Sequence, residues 1–274
     1  MIGLMDNIKL IDCITFFDNT SMFDLRFNVL KDHIDLFVIC ESEYDHRNNK
    51  KKLNFELKFL DNKKVKYFVL NKPFPNELDI WKNQAIQREF MLENIKTIAK
   101  EEDYIFFSDP DEIPNPELLI DFELKKKYGI FFQKCFNFKF NLFNPHETPW
   151  EGTRVCKLKN LKSIDFMRQK IRSKNLDYSF FRFDKEKSIE TIKDGGWHFN
   201  NILPPEAISL KLKTFAHSEF SEKRYSDTEI IRSKIEKQID LFERGHQYEK
   251  VKLDKTFPEY LITNYDRYKN YILE

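Results

Sequence analysis

The chain has 274 residues, which is long enough for one large α/β domain or for a domain with a helical appendage. Its 46 Lys and Arg residues nearly balance 45 Asp and Glu residues, and the resulting net charge of +1 argues against a nucleic-acid partner. The four cysteines are dispersed without the spacing of a zinc or redox site, so we expect buried thiols in a reducing compartment.

The first hundred residues alternate between strand-like and helix-like patterns. Three apolar runs predict strands: 9–17, 35–41 and 66–70. Apolar residues at helical spacing predict two helices: 21–31 and 77–100. Asn19 or Thr20 is suited to cap the first helix. This order favours the α/β class, with a mostly parallel central sheet flanked by helices.

Beyond residue 114 the pattern changes. Pro116 predicts the start of a short helix, and alternation over 128–143 predicts one long strand. Helices are predicted from Pro205 to about residue 215 and over 221–244, with Gly245 as the residue that ends the second. Because no repeat or linker interrupts the sequence, we expect one domain over 1–274.

The most informative segment is Tyr104-Ile-Phe-Phe-Ser-Asp-Pro-Asp-Glu-Ile-Pro114, an apolar run that ends in Asp109 and Asp111. Ligands of open α/β sheets bind beyond the carboxyl ends of the strands. Carboxylates there suit Mg²⁺ or Mn²⁺, which bind through one or two carboxylates and substrate phosphates. Asp-Pro-Asp also suits a simple turn, so the motif alone leaves both interpretations open.

A second unusual segment is Asp194-Gly-Gly-Trp-His-Phe199. Gly195 and Gly196 would let the backbone approach a ligand closely, and Trp197 offers a flat face for a base or a sugar. His198 could complete a carboxylate metal site. The alternative is a tight turn between strands, with the Trp and His side chains in the core.

Trp150 and Glu151 are adjacent in a predicted loop and suit a sugar, because a ring packs on C–H faces while a carboxylate accepts hydrogen bonds from hydroxyls. They are the candidate acceptor-binding residues. A packed Trp beside a solvated Glu is the alternative. His217 follows a predicted helix and is equally well explained by an interaction with that helix's C-terminus.

Taken in order, several segments resemble glycosyltransferase family 17, the group containing β-1,4-mannosyl-glycoprotein 4-β-N-acetylglucosaminyltransferase. The strongest matches are Ile11-Asp-Cys-Ile-Thr-Phe-Phe17, Asp35-Leu-Phe-Val-Ile-Cys-Glu-Ser42, Ser108-Asp-Pro-Asp-Glu-Ile-Pro114, Trp150-Glu-Gly152 and Gly195-Gly-Trp-His-Phe199. The resemblance covers most of the chain. Asn200 departs from the family pattern, which has Ser after Trp-His-Phe.

The resemblance implies a GT-A-like single domain that transfers a sugar with inversion and metal assistance. The donor would be UDP-N-acetylglucosamine, the acceptor a glycan hydroxyl, and the cofactor Mn²⁺ or Mg²⁺. Residues 1–114 would form the donor-binding half, and residues 115–274 the acceptor half with the C-terminal helices. Without a signal peptide or a membrane-length apolar span in the sequence, we expect a cytoplasmic protein and leave peripheral contact with the inner face of the membrane open.

Each candidate residue has an expected role under this interpretation. Asp109, Asp111 and His198 would bind the metal, with His217 as the alternative histidine. The donor-binding candidates are Glu41, Arg88, Asp109, Asp111, Gly195, Gly196 and Trp197. Arg88 could instead form a structural ion pair. The base that accepts the proton of the attacking hydroxyl would be Asp194, Glu151 or Glu219, with Asp194 preferred for its glycine neighbours.

Two other functions stay open. A phosphohydrolase of the haloacid dehalogenase type also places Asp-x-Asp after an apolar strand, but it usually has Thr or Val where this chain has Ile113. A carbohydrate-binding protein could keep the fold without turnover. The intact pair of aspartates argues against that second alternative.

Overall fold

The structure is a computed structural model that describes residues 7–75, 79–214 and 222–274. Within these ranges the strands are β1 (Leu10–Phe16), β2 (Leu36–Ser42), β3 (Val65–Leu70), β4 (Tyr104–Ser108), β5 (Glu112–Pro114), β6 (Tyr128–Asn137), β7 (Leu142–Phe143), β8 (Trp150–Lys157), β9 (Ile189–Ile192), β10 (Gly196–Asn200) and β11 (Glu249–Lys250). The α-helices are α1 (Thr20–Leu30), α2 (Ile80–Ile95), α3 (Ile164–Lys170), α4 (Pro205–Thr214), α5 (Lys223–Ser226), α6 (Thr228–Glu236), α7 (Glu259–Thr263) and α8 (Tyr265–Tyr268).

The strands form one continuous sheet in the order β11-β7-β6-β8-β4-β1-β2-β3. The four strands β3, β2, β1 and β4 pair in parallel, whereas β8 is antiparallel to both β4 and β6. Strands β9 and β10 pair in parallel with β6, and β5 pairs antiparallel with β10. The predicted α/β class with a parallel central sheet is therefore confirmed, and antiparallel strands extend that sheet on one side.

Apolar side chains cover the sheet on both faces, which explains the weak alternation of β1 and β2. One face packs against α1 and the C-terminal helices through a Phe-rich core that includes Phe23, Phe27 and Phe106. The other face packs against α2 and α3 through residues such as Met91 and Met167. The four cysteines are buried and free, as expected for small apolar residues.

The helix boundaries partly match the sequence patterns. Asn19 caps α1 by accepting a hydrogen bond from the backbone N–H of Met22, as predicted. The predicted helix over 77–100 is shorter, because Asp79 caps α2 at its start and the helix ends at Ile95. The predicted short helix at Pro116 is a 3-10 turn, Pro116–Leu119.

Two predictions in the second half were wrong. The long strand over 128–143 breaks after β6, because Phe138 has a positive φ of 67° that turns the chain before β7. In place of the long helix predicted over 221–244, the described residues form two short helices, α5 and α6, separated by Asp227, which caps α6, and residues 237–244 are not helical. Gly245 has a positive φ, but it lies in a turn well beyond α6 and does not end a helix. Over the described ranges, no helix is both long and apolar enough to cross a membrane.

Candidate active site

The Asp-x-Asp segment is a tight turn at the carboxyl end of β4. The backbone N–H of Glu112 donates a hydrogen bond of 3.0 Å to the carbonyl oxygen of Asp109, and the backbone N–H of Asp109 donates to the Glu112 carboxylate at 3.1 Å. The turn returns the chain into β5. The two interpretations of this segment are therefore compatible, since the turn is what presents both aspartates at the strand end.

Asp109 lies against two arginines. Its carboxylate pairs with the guanidinium of Arg168 at 2.5 Å and with that of Arg88 at 4.0 Å. Burial alone would raise the pKa of the Asp109 carboxyl, but Arg168 and Arg88 more than offset this and hold the pKa below its usual value. The carboxylate therefore stays ionised in a partly buried position.

Arg168 is a site residue that the sequence did not reveal. It lies on α3, and its guanidinium also binds the buried Glu112 carboxylate through two hydrogen bonds of 2.7 and 3.0 Å. This parallel pair of charge-assisted bonds fixes both partners. No motif marks Arg168, because tertiary packing alone brings α3 to the end of β4.

Asp111 lies close to His198, one of the two histidines predicted as a further metal ligand. The antiparallel pairing of β10 with β5 places His198 opposite Glu112, so that its Nε2 lies 3.7 Å from the Asp111 carboxylate. Burial raises the pKa of the Asp111 carboxyl, and His198 and Lys211 reduce that shift only in part. A partly buried carboxylate of raised pKa next to an imidazole suits a divalent cation, whose charge would offset the loss of hydration.

The described residues do not form a complete metal site on their own. Among them, no group of three Asp, Glu, His or Cys side chains is close enough to hold an ion. Asp111 and His198 are close together, while the Asp109 carboxylate is turned to Arg168. His217 and Glu219 lie outside the described residues. The arrangement fits a cation held by one carboxylate and one imidazole, with substrate oxygens as further ligands.

Trp150 joins this cluster from the start of β8. Its ring stacks on the His198 ring with centroids 4.5 Å apart, and its Nε1 donates a hydrogen bond of 2.7 Å to the Glu112 carboxylate. The ring remains partly exposed. Glu112, which the sequence analysis did not single out, therefore fixes both Trp150 and Arg168.

Glu151 is half-buried at the same end of β8. Its carboxylate accepts a hydrogen bond from the hydroxyl of Ser173 and forms an ion pair of 3.2 Å with Arg154. Its oxygens are thus held in place by Ser173, which follows α3, and by Arg154 of β8 itself. This position is compatible with both of the roles predicted for Glu151.

Asp194 lies further from the Asp-x-Asp turn. Strands β10 and β5 are antiparallel, with Gly196 opposite Pro114 and His198 opposite Glu112. His198 is therefore at the end of the pair next to the Asp-x-Asp turn, and Asp194 lies beyond the other end. His198 is four positions along the chain from Asp194, a separation of at most roughly 13 Å. Asp194 is exposed in a turn with a φ of 49°.

The structure gives Glu41 a role other than the predicted donor contact. Its fully buried carboxylate accepts hydrogen bonds from Lys51, Tyr67 and the backbone N–H groups of Asn54 and Phe55. The carboxylate therefore attaches the loop after β2 to the sheet. A strand-end carboxylate can be satisfied by a neighbouring loop as well as by a ligand, and the sequence does not distinguish the two.

Trp197 and the two glycines also differ from the prediction. Trp197 is only 7% exposed, and its Nε1 donates a hydrogen bond of 3.0 Å to the carbonyl oxygen of Thr256. Gly196 has a φ of 120°, and a Cβ there would lie 2.2 Å from the carbonyl oxygen of Ile113. A Cβ on Gly195 would lie 2.8 Å from Phe131. Close packing of β10 against β5 and β6 thus explains the glycine pair without a ligand.

Arg88 follows the second of its two predicted roles. Its side chain is buried and forms an ion pair of 2.8 Å with Asp165, in addition to its longer contact with Asp109. It supports the turn from the side of α2. Together, Arg88 and Arg168 place two guanidinium groups beside Asp109.

Comparisons with known proteins identify the amino-terminal half of the chain. Residues 4–129 match the family model for Glycosyltransferase family 17. Over 97% of its length the chain is 22% identical to the β-1,4-mannosyl-glycoprotein 4-β-N-acetylglucosaminyltransferases of Rattus norvegicus and Homo sapiens. It covers 54% of the rat protein and 55% of the human protein, so the chain spans about half the length of these relatives.

Two solved glycosyltransferases overlap the structure in part. A galactosyltransferase crystallised with donor and acceptor sugar analogues is 11% identical, with a TM-score of 0.29 over 55% of this chain and 59% of that one. A glycosyltransferase involved in glycosylation of the major capsid of PBCV-1 is 11% identical, with a TM-score of 0.31 over 67% of this chain and 81% of that one. At these TM-scores the overlaps carry no argument, and the likeness to family 17 depends on the sequence match. The resemblance inferred from the motifs is confirmed, because residues 4–129 match the family model for Glycosyltransferase family 17.

Proposed function

We propose that this chain transfers a sugar from a UDP-sugar to a glycan hydroxyl, with inversion and with the help of Mn²⁺ or Mg²⁺. N-acetylglucosamine is the proposed sugar, since the curated relatives carry that activity in their names. The observation that carries the proposal is the convergence of Asp111, His198 and the partly exposed Trp150 at the carboxyl end of β4. We also propose a GT-A-like single domain over 1–274, with donor binding in 1–114 and acceptor binding in 115–274.

Asp111 and His198 are the residues that would hold the cation. They supply a carboxylate, the ligand type that Mn²⁺ and Mg²⁺ prefer, and an imidazole, and substrate oxygens would complete the coordination. When bound, the cation would neutralise the negative charge that grows on the departing nucleotide diphosphate. Asp109 would act beside it, with its carboxylate held by Arg168 and Arg88.

The remaining side chains position the sugar and move the proton. The Trp150 ring has one edge fixed by Glu112 and one face packed on His198, so it can support a sugar ring without moving. For the base we favour Glu151, which neighbours Trp150 and has its carboxylate oriented by Ser173. Asp194 is the weaker candidate, because it stands at the far end of β10. The base would accept the proton of the acceptor hydroxyl as its oxygen attacks the anomeric carbon.

The test is release of UDP from UDP-N-acetylglucosamine, measured with Mn²⁺, with Mg²⁺ and with a chelator. We expect turnover that requires a divalent cation and that Asp111→Asn and His198→Ala reduce strongly. Asp61→Asn, which removes the same charge from an exposed turn, is the matched control and should keep wild-type activity. Equal turnover with and without chelator would contradict the metal assignment.

The same assay separates the other candidate functions. Hydrolysis of a phosphomonoester in place of a UDP-sugar would indicate a phosphohydrolase, and saturable glycan binding without any turnover would indicate a carbohydrate-binding protein. A clear preference for UDP-glucose or UDP-galactose would overturn the proposed sugar alone. Discrimination against glucose should be large, because a site built to hydrogen-bond an N-acetyl group leaves buried polar groups unpaired without it.

A further inference from the structure

Three phenylalanines project from the loop between α3 and β9. Phe180 and Phe181 are each 79% exposed, and Phe183 is 82% exposed. No other large apolar side chain in the described ranges is as exposed, the next being Leu57 at 77%. We call Phe180, Phe181 and Phe183 the aromatic tip. Three such rings on one short loop need an explanation, whereas a single exposed apolar residue does not.

The loop has internal hydrogen bonds that present the rings outward. The backbone N–H of Arg182 donates to the carbonyl oxygen of Ser179 at 2.9 Å, and the ammonium of Lys187 donates to that of Tyr178 at 2.9 Å. The rings contact one another, with centroids 6.2 Å apart for Phe180 and Phe181 and 6.3 Å apart for Phe180 and Phe183. The exposure is therefore a feature of a folded loop.

The aromatic tip lies in a stretch of the sequence that is rich in cations. From residue 170 to residue 187 there are six Lys or Arg residues against three Asp or Glu residues, a local charge of +3 in a chain whose total is +1. The six cations are Lys170, Arg172, Lys174, Arg182, Lys185 and Lys187. Lys187 lies 5.9 Å from the centroid of the Phe180 ring, so positive charge reaches the tip itself.

We infer that the aromatic tip is a docking surface for an anionic phospholipid bilayer. Aromatic side chains are favoured at the membrane–water interface, and clustered Lys and Arg residues are attracted to acidic headgroups. Buried apolar area and electrostatic attraction to anionic lipids together set the strength of such interfacial binding, and the loop supplies both. This inference does not depend on the proposed catalytic function, since it uses none of the active-site residues.

The size of the tip favours a bilayer over a protein partner. Three rings of about 200 Å² each, four-fifths exposed, present about 500 Å² of apolar surface. A stable protein interface buries about 800 Å² on each partner. A small, convex, cationic loop suits insertion between headgroups better than it suits a complementary protein surface.

The aromatic tip and the Asp-x-Asp turn lie at opposite ends of the sheet. The loop enters β9 at Ile189, the amino end of a strand parallel to β6, and β6 runs in the same direction as β4 because both are antiparallel to β8. Asp109 follows the carboxyl end of β4. Docking through the tip would therefore leave the proposed active site open to solvent.

The experiment is co-sedimentation of the full chain with vesicles of phosphatidylcholine alone or mixed with phosphatidylglycerol. We expect the wild type to bind the mixed vesicles, with binding that weakens as salt is raised. Replacing Phe180, Phe181 and Phe183 together by Ser should reduce the partition coefficient at least about tenfold. Leu57→Ser, which removes an apolar side chain of nearly the same exposure elsewhere, should bind like the wild type.

A second measurement keeps the result independent of folding. Thermal unfolding of the triple variant should match that of the wild type, because the rings make few contacts with the core. Equal sedimentation of wild type and triple variant, or failure of the wild type to bind the mixed vesicles at low salt, would overturn the inference. A wild-type dimer that the triple variant dissociates, without vesicle binding by either, would overturn it in favour of self-association.

Discussion

Arg26 on α1 donates a hydrogen bond of 2.6 Å from its guanidinium to the carbonyl oxygen of Glu112, the residue that follows Asp111. The same guanidinium pairs with Asp12 on β1, its Nε lying 2.7 Å from the carboxylate. Both side chains are completely buried. The first helix thus fixes the backbone of the Asp-x-Asp turn from the interior of the protein.

Replacing Arg26 by Met should lower the free energy of unfolding by about 3–5 kcal/mol, because it leaves the buried Asp12 carboxylate without its cation. Denaturant unfolding monitored by circular dichroism measures this. The double variant Arg26→Met, Asp12→Leu should be less destabilised than the single variant, because the unpaired charge is gone. A double variant that loses more than the single one would contradict the argument.

Arg168→Lys should reduce UDP release roughly 10- to 100-fold while retaining a cation at the site. An ammonium group cannot reproduce the paired hydrogen bonds to Glu112 and the contact with Asp109 at the same time. Steady-state kinetics at saturating metal give the comparison. Lys170→Gln, on the same helix but exposed, is the control and should change neither kcat nor KM appreciably.

Gly196→Ala should destabilise the protein by about 3 kcal/mol or more. The new Cβ would meet the carbonyl oxygen of Ile113 at 2.2 Å, and the φ of 120° is unfavourable for alanine. Gly245→Ala is the matched control, because its φ is also positive, at 78°, but no atom lies within 4 Å of the added Cβ. Its cost should be only about 1 kcal/mol. An equal decrease in the free energy of unfolding for the two substitutions would show that close packing at Gly196 does not add to the cost of the alanine.

His46 should make stability fall at acidic pH. Burial lowers its pKa below the ordinary value of 6.5, although its hydrogen bond with Gln87 opposes the shift. The unfolded state therefore binds the proton more readily. The contribution of neutral His46 to the free energy of unfolding is fully present above the pKa that His46 has in the unfolded state. It is lost as the pH falls through the lower pKa of the folded state. His46→Gln should reduce the loss of unfolding free energy between about pH 7.5 and pH 5, and an unchanged loss would refute the role of His46.

The sequence predicted the elements whose patterns are local. Strands β1 to β4 and helix α1 follow from apolar runs and a capping Asn19. The motifs also singled out Asp111 and His198, which lie close together, and their role as metal ligands stays a prediction. Arg168 and Glu112 escaped prediction because their roles arise from contacts between distant segments. The break at Phe138 was also missed, since a Phe at positive φ carries no local signal.

The sequence motifs also predicted ligand contacts for residues at strand ends whose side chains have partners within the protein. Glu41 and Trp197 occupy positions where a ligand contact is plausible, but each finds its partner within the protein. A buried carboxylate or indole must be satisfied in any case, and sequence alone does not show whether a neighbouring loop supplies the partner. Trp150 differs because its ring remains partly exposed after its Nε1 is satisfied.

The pairing of β5 with β10 has a consequence for synthesis on the ribosome. The Asp-x-Asp turn joins β4 to β5. Among the described strands, β5 pairs with β10, and β4 pairs on its outer side with β8. Both of these partner strands are synthesised after the turn. At about 5–20 residues per second, several seconds pass between the emergence of β5 and that of β10. During this interval β5 lacks its pairing partner, and the nascent chain exposes an apolar strand edge. A chain cut after residue 129, where the family match ends, would keep that exposed edge permanently and would be prone to aggregate.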